Sequence, residues 1–355
     1  MAGTDFPVNS PLAVKKWAPE LMKEALKSTH AMQFMGEGSN NVIQIKTELG
    51  KGAGDRLTFG IRNQLGGGGV QGDNTLEGNE EALETYSQNL TIDQLRHAVR
   101  SAGKMSEQRV PFSVRSEAKD GLADWWSDRI DSWFFNQVTG NSALSDVRYT
   151  GMQSATAPDA DQLVYCGTGS TVSEVTISNS TDQVFTLTLL DKAVEKSKLA
   201  KNKFRPVKLN NSDYLVAFLH PYQVTDLRIN TSTGQWLDIQ KAALSGGRIT
   251  DNPIFSGALG IYNNVVLHES TRLPAFATAA GADTGRRAVV LGAQAAVMGF
   301  GRGSGKNTYS WEEELFDYGN QLGVGAGCIG GLVKTRFNGS DFASMVISTR
   351  AVAHT

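Results

Sequence analysis

The strongest constraint on the fold is a hydrophobic repeat between Pro111 and Gly140. Proline suits the first turn of a helix and glycine often ends one. The repeat predicts a helix over about 113–139, a rod of roughly 40 Å whose aromatic face must be deeply covered. Its apolar side chains recur at spacings of three and four, the period of one helix face: Val114, Ala118, Leu122, Trp125, Trp126, Ile130, Trp133, Phe134 and Val138.

The segment before this helix predicts an extended β-hairpin over 41–105. Apolar and polar residues alternate on either side of a turn at 50–55, as they do in strands. A glycine-rich tip follows: Gly66, Gly67, Gly68 and Gly69. The stretch from Arg62 to Arg96 contains no other Lys or Arg, but it carries six carboxylates: Asp73, Glu77, Glu80, Glu81, Glu84 and Asp93. A long hairpin with so few apolar residues needs a partner surface for stability.

The remaining segments mix helices and strands without a repeating βαβ order, which indicates the α+β class. Residues 1–40 predict an extended arm with one short amphipathic helix, and 141–185 predict a loop with short strands. A helix is expected after residue 186, a buried strand at 214–220, a helix beginning at Pro221, and a short helix at 236–244. Further strands follow, the last of them at the C-terminus.

One basic stretch has two interpretations. Residues 191–208 contain seven Lys or Arg and two acidic residues, a local net charge of +5. It is either a solvated helix face or a contact with packaged nucleic acid or an acidic neighbour.

Composition argues against several classes of protein. The net charge of −2 gives no general attraction to nucleic acid or to an anionic membrane. No apolar run approaches the ~18 residues that cross a bilayer, and the N-terminus lacks a signal-peptide core, so no membrane partner is expected. Cys166 and Cys328 belong to no CxxC pair, and we expect two reduced, partly buried thiols.

Two glycine motifs resemble nucleotide sites without meeting their requirements. In GFGRGSGKNT (299–308), Phe300 stands where a phosphate loop needs glycine, and Asn307 replaces the Ser or Thr that holds magnesium. We expect an exposed loop there. Gly325, Gly327 and Gly330 match GxGxxG, but LVKTRF after them predicts a strand instead of a helix, and FDYGNQLGV before them is a poor strand. Close backbone packing against a sheet is the favoured interpretation.

No catalytic signature stands out in the rest of the chain. The five histidines show neither HxH nor HxxxH spacing, and no GxSxG elbow occurs. The sequence therefore predicts no catalytic residue, no metal ligand and no cofactor, and the expectation is that the chain is not an enzyme.

The order of the pieces resembles a known architecture. Four phrases carry the resemblance: YLVAFLHPYQVTDLR (214–228), GALGIYNNVVLHESTRLP (257–274), AVVLGAQAAVMGFG (288–301) and ELFDYGNQLGVGAGCIGGLVKTRFNGSDF (314–342). With the arm, the hairpin and the long helix, they resemble the Hong Kong 97-like fold of tailed-phage major capsid proteins. They look especially like the short-tailed phage group similar to coliphage N-four.

The resemblance implies a division of the chain into named parts. These are an N-terminal arm (1–40), an E-loop hairpin (41–105), a peripheral domain with the spine helix at about 113–139 (106–185), an axial domain with returns to the peripheral domain (186–340), and a C-terminal strand (341–355). Residues 141–185 fit the minimal pattern poorly and are a possible insertion.

The implied function is self-assembly through hexamers and pentamers into an icosahedral head that encloses DNA. The location is then the virion after assembly in the host cytoplasm, and the implied partners are scaffolding, portal and decoration proteins together with non-specific contact with double-stranded DNA. Two alternatives stay open: an encapsulin-like compartment shell, and a nucleotide-dependent enzyme using the glycine-rich 299–330 region.

The predicted inter-subunit contacts are on the hairpin and its return strand. Our hypothesis is that the acidic 73–93 stretch meets a basic patch on a neighbour, either Arg96–Arg109 or Lys192–Lys208. The predicted contact residues are Gly66, Gly67, Gly68, Gly69, Glu77, Glu80, Glu81, Glu84, Arg96 and Arg100.

Overall fold

The structure, a computed structural model, describes eleven stretches of the chain. These are residues 31–48, 54–62, 65–109, 113–167, 173–178, 183–200, 202, 204–209, 212–229, 258–304 and 309–354. The predicted helix of the arm and the predicted helix at 236–244 lie outside the described residues, as do Pro111 and the glycine loop beyond Ser304.

Strands dominate the described residues. They are, in chain order, β1 Met35–Gly36, β2 Ile43–Lys46, β3 Arg56–Arg62, β4 Thr85–Thr91, β5 Asp93–Arg100, β6 Leu163–Tyr165, β7 Val207–Leu209, β8 Ser212–Leu219, β9 Gly260–Tyr262, β10 Val265–Glu269, β11 Ala275–Thr278, β12 Gly281–Leu291, β13 Ala296–Phe300, β14 Ser310–Phe316, β15 Gln321–Lys334, β16 Arg336–Phe337, β17 Ser340–Asp341 and β18 Ser344–Arg350. The α-helices are α1 Lys104–Arg109, α2 Val114–Val138, α3 Leu187–Leu199 and α4 Pro221–Ile229.

Two mixed sheets form the body of the molecule. A six-stranded sheet has the order β1-β2-β13-β15-β14, with β5 also paired to β15. An eight-stranded sheet has the order β6-β18-β12-β8-β10-β9, with β11 on β12 and β7 on β8. Strand β2 runs parallel to β13, while β13, β14 and β5 all run antiparallel to β15. Because both sheets contain parallel and antiparallel pairs and the described helices and strands follow no repeating βαβ order, the predicted α+β class is confirmed.

The long helix forms as its periodicity predicts. Helix α2 follows the N-cap Ser113, whose side-chain oxygen accepts a hydrogen bond from the Ser116 backbone N–H at 3.4 Å. Its large aromatic residues are almost completely buried in a core shared with both sheets, except for Trp125, which is half-buried and stacks on His97 of β5. The largest side chains in this core are Trp126, Trp133, Phe134 and Phe135.

Strand β8 explains why one segment is apolar without a break. Val216 and Phe218 belong to the core that α2 shares with both sheets. Their neighbours Leu215, Ala217 and Leu219 belong to a second core beneath α3, on the other face of the sheet. A strand covered on both faces has no polar alternation. The buried strand and the helix that begins at Pro221 are therefore both confirmed.

Two local expectations were wrong in part. The 141–185 segment contains a short strand as expected, β6, but within 173–178 the chain forms a 3-10 turn, Glu174–Thr176. The Glu174 carboxylate makes a two-point ion pair with Arg287, at 2.6 and 2.7 Å, which holds this segment against β12. The segment 316–324 is more regular than expected, since β14 ends at Phe316 and β15 begins at Gln321 after a tight turn.

The hairpin is also narrower than the 41–105 segment. Strands β2 and β5 join the six-stranded sheet, and only β3 and β4 pair as a separate ribbon. The local alternation of apolar and polar residues predicts that β2, β3, β4 and β5 belong to one hairpin. Pairing with strands that are distant in sequence instead places β2 and β5 in the body of the molecule. The boundaries of the implied domains stay a prediction.

Candidate functional site

The β3–β4 hairpin has one face turned to the body and one turned to solvent. Its strands pair in continuous register from Arg56–Thr91 to Arg62–Thr85. Leu57, Phe59 and Ile61 on β3 are half-buried, while the residues between them are exposed. This period of two is that of a strand with a single covered face.

Strand β4 anchors the hairpin to the body. Leu90 is fully buried over Gly299, where an added Cβ would lie 2.6 Å from the Leu90 Cδ2 atom. The Gln88 amide behaves like a peptide group. Its Nε2 donates to the Lys334 carbonyl and its Oε1 accepts from the Arg336 backbone N–H, both at 2.7 Å. The hairpin is thereby fixed at its base.

A buried ionic cluster lies directly behind that anchor. Lys334 Nζ is 2.7 Å from Asp341 Oδ2, and both side chains are 1% exposed. Arg336 joins Asp341 at 3.3 Å and Asp159 at 3.1 Å. Burial lowers the pKa of the Lys334 amine, and the neighbouring Asp341 carboxylate opposes that shift. The cluster links β15, β17 and the 141–167 segment.

The tip of the hairpin, 65–84, extends into solvent. The Glu81 carboxylate accepts hydrogen bonds from the backbone N–H groups of Gly66 at 2.9 Å and Gly67 at 2.7 Å. These bonds hold the pKa of Glu81 below its ordinary value. Leu65, Leu76 and Leu83 are 58%, 61% and 57% exposed. A loop that is held in shape by its own hydrogen bonds and that exposes several leucines is typical of a contact surface.

The predicted contact residues therefore fall on two surfaces. The four glycines and four glutamates lie on the hairpin tip; of these, Gly69 adopts a left-handed conformation at φ 67°. Arg96 and Arg100 lie on β5, opposite Gly327 and Gly323 of β15. The Arg100 guanidinium packs over the Phe316 ring at 4.2 Å. Contact between these two surfaces across subunits stays a prediction.

Sequence reasoning missed a basic cleft under the hairpin. A cavity of about 580 Å³ separates the inward face of β3 from the six-stranded sheet. Its cationic lining residues are Lys46, Arg62 and Arg205. Each is an isolated cation in a different segment, so no local pattern indicates that they converge.

The glycines of the GxGxxG match are structural. Gly325, Gly327 and Gly330 lie inside β15 and open no helix, which confirms the expected backbone packing. The neighbouring Gly331 lies so close to β4 that an added Cβ would collide with the Thr91 carbonyl oxygen. A nucleotide fingerprint needs a strand-to-helix turn at these positions.

The described histidines and cysteines are dispersed. His97 and His268 pack against aromatic rings, whereas His354 is 3.1 Å from Asp226. Cys166 and Cys328 are buried, free thiols, and burial raises the pKa of Cys328 to about 12. Within the residues that the structure covers, no three His, Cys, Asp or Glu side chains are grouped so as to hold a metal ion. None of the described helices combines the length and the apolar content needed to span a membrane.

Comparison with known proteins identifies the fold. The capsid of Ralstonia phage GP4 superposes with a TM-score of 0.82 at 33% sequence identity, covering 100% of both chains. The capsid asymmetric unit of cyanophage Pam1 superposes with a TM-score of 0.72 at 19% identity, covering 92% of this chain and 93% of that one. The Hong Kong 97-like capsid fold expected from the sequence is confirmed.

Sequence comparison agrees with the fold. The major capsid protein of Pseudomonas phage KPP25 is 28% identical over 349 residues, covering 90% of this chain and 89% of that protein. A family model described as phage capsid protein matches residues 5–353. The chain belongs to the phage capsid protein family.

Proposed function

We propose that the chain is a major capsid protein that self-assembles through hexamers and pentamers into the icosahedral head enclosing phage DNA. The hairpin tip carries the structural argument. Residues 65–84 expose three leucines by more than half and extend away from their own body. In water that surface favours a partner, and repeated contacts between copies of one chain generate closed shells.

The two alternatives lack comparable support. The similar proteins are phage capsids by name, which favours a phage head over a cell-encoded compartment. The nucleotide-dependent enzyme requires a phosphate-binding turn in the 299–330 region, and Gly325, Gly327 and Gly330 are strand residues.

The finer expectations belong to this proposal. Scaffolding, portal and decoration proteins are the partners that shell assembly implies, and the host cytoplasm is the place of assembly. Non-specific contact with packaged double-stranded DNA would use basic side chains without base readout. Exposed Lys192 and Lys198 on α3 are suited to it.

Electron microscopy of the purified protein tests the proposal. We expect icosahedral particles or ring-shaped capsomers in negative stain. A variant with Leu76 and Leu83 replaced by serine should retain the wild-type circular dichroism spectrum and melting temperature while losing particles. A wild-type chain that stays monomeric under all assembly conditions would refute the proposal.

A further inference from the structure

The cleft under the hairpin contains positive charge without a matching negative charge. Lys46 and Arg62 have no carboxylate partner within the described part of the chain. Among the same residues, the Arg205 guanidinium donates only to the neutral side chains of Gln294 at 3.3 Å and Ser39 at 3.4 Å. None of the described lining residues carries a carboxylate. The apolar walls of the cleft are Phe59, Ile61, Phe337 and Phe342. Three unpaired cations beside aromatic walls select an occupant that is both acidic and apolar.

The hairpin tip has the complementary composition. Residues 65–84 contain five carboxylates and no Lys or Arg, together with the three exposed leucines. Asp73 and Glu77 form no ion pair or hydrogen bond through their carboxylates within the described part of the chain. The tip and the cleft therefore lack the charges that each could supply to the other.

The tip of the same chain does not reach this cleft. The β3–β4 pairing ends at Arg62–Thr85, and the Glu81 contact with Gly66 continues the same register four positions further on. The loop therefore extends beyond the end of the hairpin instead of folding beneath it. An acidic loop that fills the cleft has to come from another copy.

We propose that the cleft lined by Lys46, Arg62 and Arg205 receives the acidic 65–84 loop of a second copy of the chain. The inference rests on the proposed assembly and specifies one of its contacts. The carboxylates of Asp73 and Glu77 pair with the cations, and the exposed leucines pack on the aromatic walls. Each subunit gives one loop and accepts another, a heterologous contact that repeats around a ring.

Other candidates are less complementary in charge. Residues 1–30 contain four lysines and three acidic residues, so their net charge of +1 opposes entry into a basic cleft. The β5 surface has Arg96 and Arg100, but Glu312 and Glu314 face them across the glycines of β15 and would repel an acidic loop. No such row of carboxylates faces the cations among the described lining residues of the cleft.

Zero-length cross-linking tests the contact directly. Particles are assembled from a mixture of ¹⁵N-labelled and unlabelled chains, treated with a carbodiimide, digested and analysed by mass spectrometry. We expect mixed-isotope peptides that join Lys46 to the 65–84 loop. Particles in which Asp73 and Glu77 cross-link only to lysines outside the cleft would overturn the inference while leaving the proposed function intact. The absence of any particles from the wild-type chain would instead defeat the proposed function.

A charge exchange gives an independent test. The variant Lys46→Glu with Arg205→Glu should raise the subunit concentration needed for assembly about tenfold or more, because charge reversal converts attraction into repulsion. Adding Asp73→Lys and Glu77→Lys to the same chain should restore assembly.

The matched control is Arg302→Glu, a charge reversal of an exposed arginine that does not line the cleft. It should assemble like the wild type. Thermal melting of each subunit checks folding. The proposed contact is contradicted if the variant with all four substitutions assembles no better than the variant with two, while both melt like the wild type.

Discussion

The buried ion pair behind the hairpin anchor should be strongly asymmetric in its response to mutation. Asp341→Asn leaves the Lys334 ammonium 1% exposed, with the Thr156 carbonyl at 3.1 Å as its remaining partner in the described residues. Removing one member of a buried pair costs about 3–5 kcal/mol, since the charge left behind is not compensated. We expect a loss of stability in that range.

The reciprocal change should cost less. Lys334→Met keeps a long apolar side chain in place, and Asp341 still has Arg336 at 3.3 Å and the Asp159 backbone N–H at 3.3 Å. The remaining carboxylate is thus partly compensated, and we expect a cost of about 1–3 kcal/mol. The double variant Lys334→Met with Asp341→Asn should be more stable than Asp341→Asn alone, because no unpaired ammonium remains.

Urea unfolding of the dissociated subunit measures this cycle. The midpoints are compared at constant slope, so that only the stability differs among the variants. Since burial depresses the Lys334 pKa, the unfolded state binds more protons at alkaline pH, and Asp341→Asn should regain stability as the pH rises towards 10. A larger loss for Lys334→Met than for Asp341→Asn would refute the reasoning.

Three further predictions concern other parts of the fold. Burial raises the Asp226 pKa from 3.8 to about 6 and lowers the His220 pKa from 6.5 to about 4, so the Asp226 contribution to stability is lost and the His220 contribution is gained as pH rises between 4 and 6. Melting temperatures across that range should therefore rise more steeply with pH in Asp226→Asn than in wild type, and less steeply than in wild type in His220→Asn; parallel profiles would count against this assignment. Gly331→Ala should give insoluble protein because its Cβ collides with backbone, whereas Gly325→Ala, with 3.6 Å to its nearest neighbour, should remain soluble on expression. Ser113→Ala removes the cap of α2 and should lower unfolding free energy by about 1 kcal/mol, and an unchanged urea midpoint would show that the cap is dispensable.

The features that the sequence predicts correctly are those with a local signature. Helix α2 has a continuous period bounded by Pro111 and Gly140, and β8 is an apolar run of strand length followed by Pro221. The acidic character of the hairpin tip also follows from composition alone. In each of these cases neighbouring residues supply the information.

Long-range pairing removes this predictability. Lysine side chains are rarely buried, so Lys334 would be expected at the surface. It is instead buried between Asp341 and the 141–167 segment, where the Asp341 carboxylate pairs with it. The basic cleft depends on residues 46, 62 and 205, which meet only after both sheets have formed. Gln88 is an ordinary polar strand residue until its amide finds the backbone of β15 and β16.

The pairing of β2 with β13 also delays formation of the six-stranded sheet while the chain is being synthesised. Ile43 pairs with Ala296, so 253 residues separate the two partners along the chain. At about 5–20 residues per second, a ribosome needs roughly 13–50 s to deliver the second strand after the first. During that interval the edge of β2 that pairs with β13 stays open, and exposed strand edges favour aggregation. A chain synthesised at a high rate would therefore expose many unpaired β2 edges at once, before any copy is complete enough to assemble.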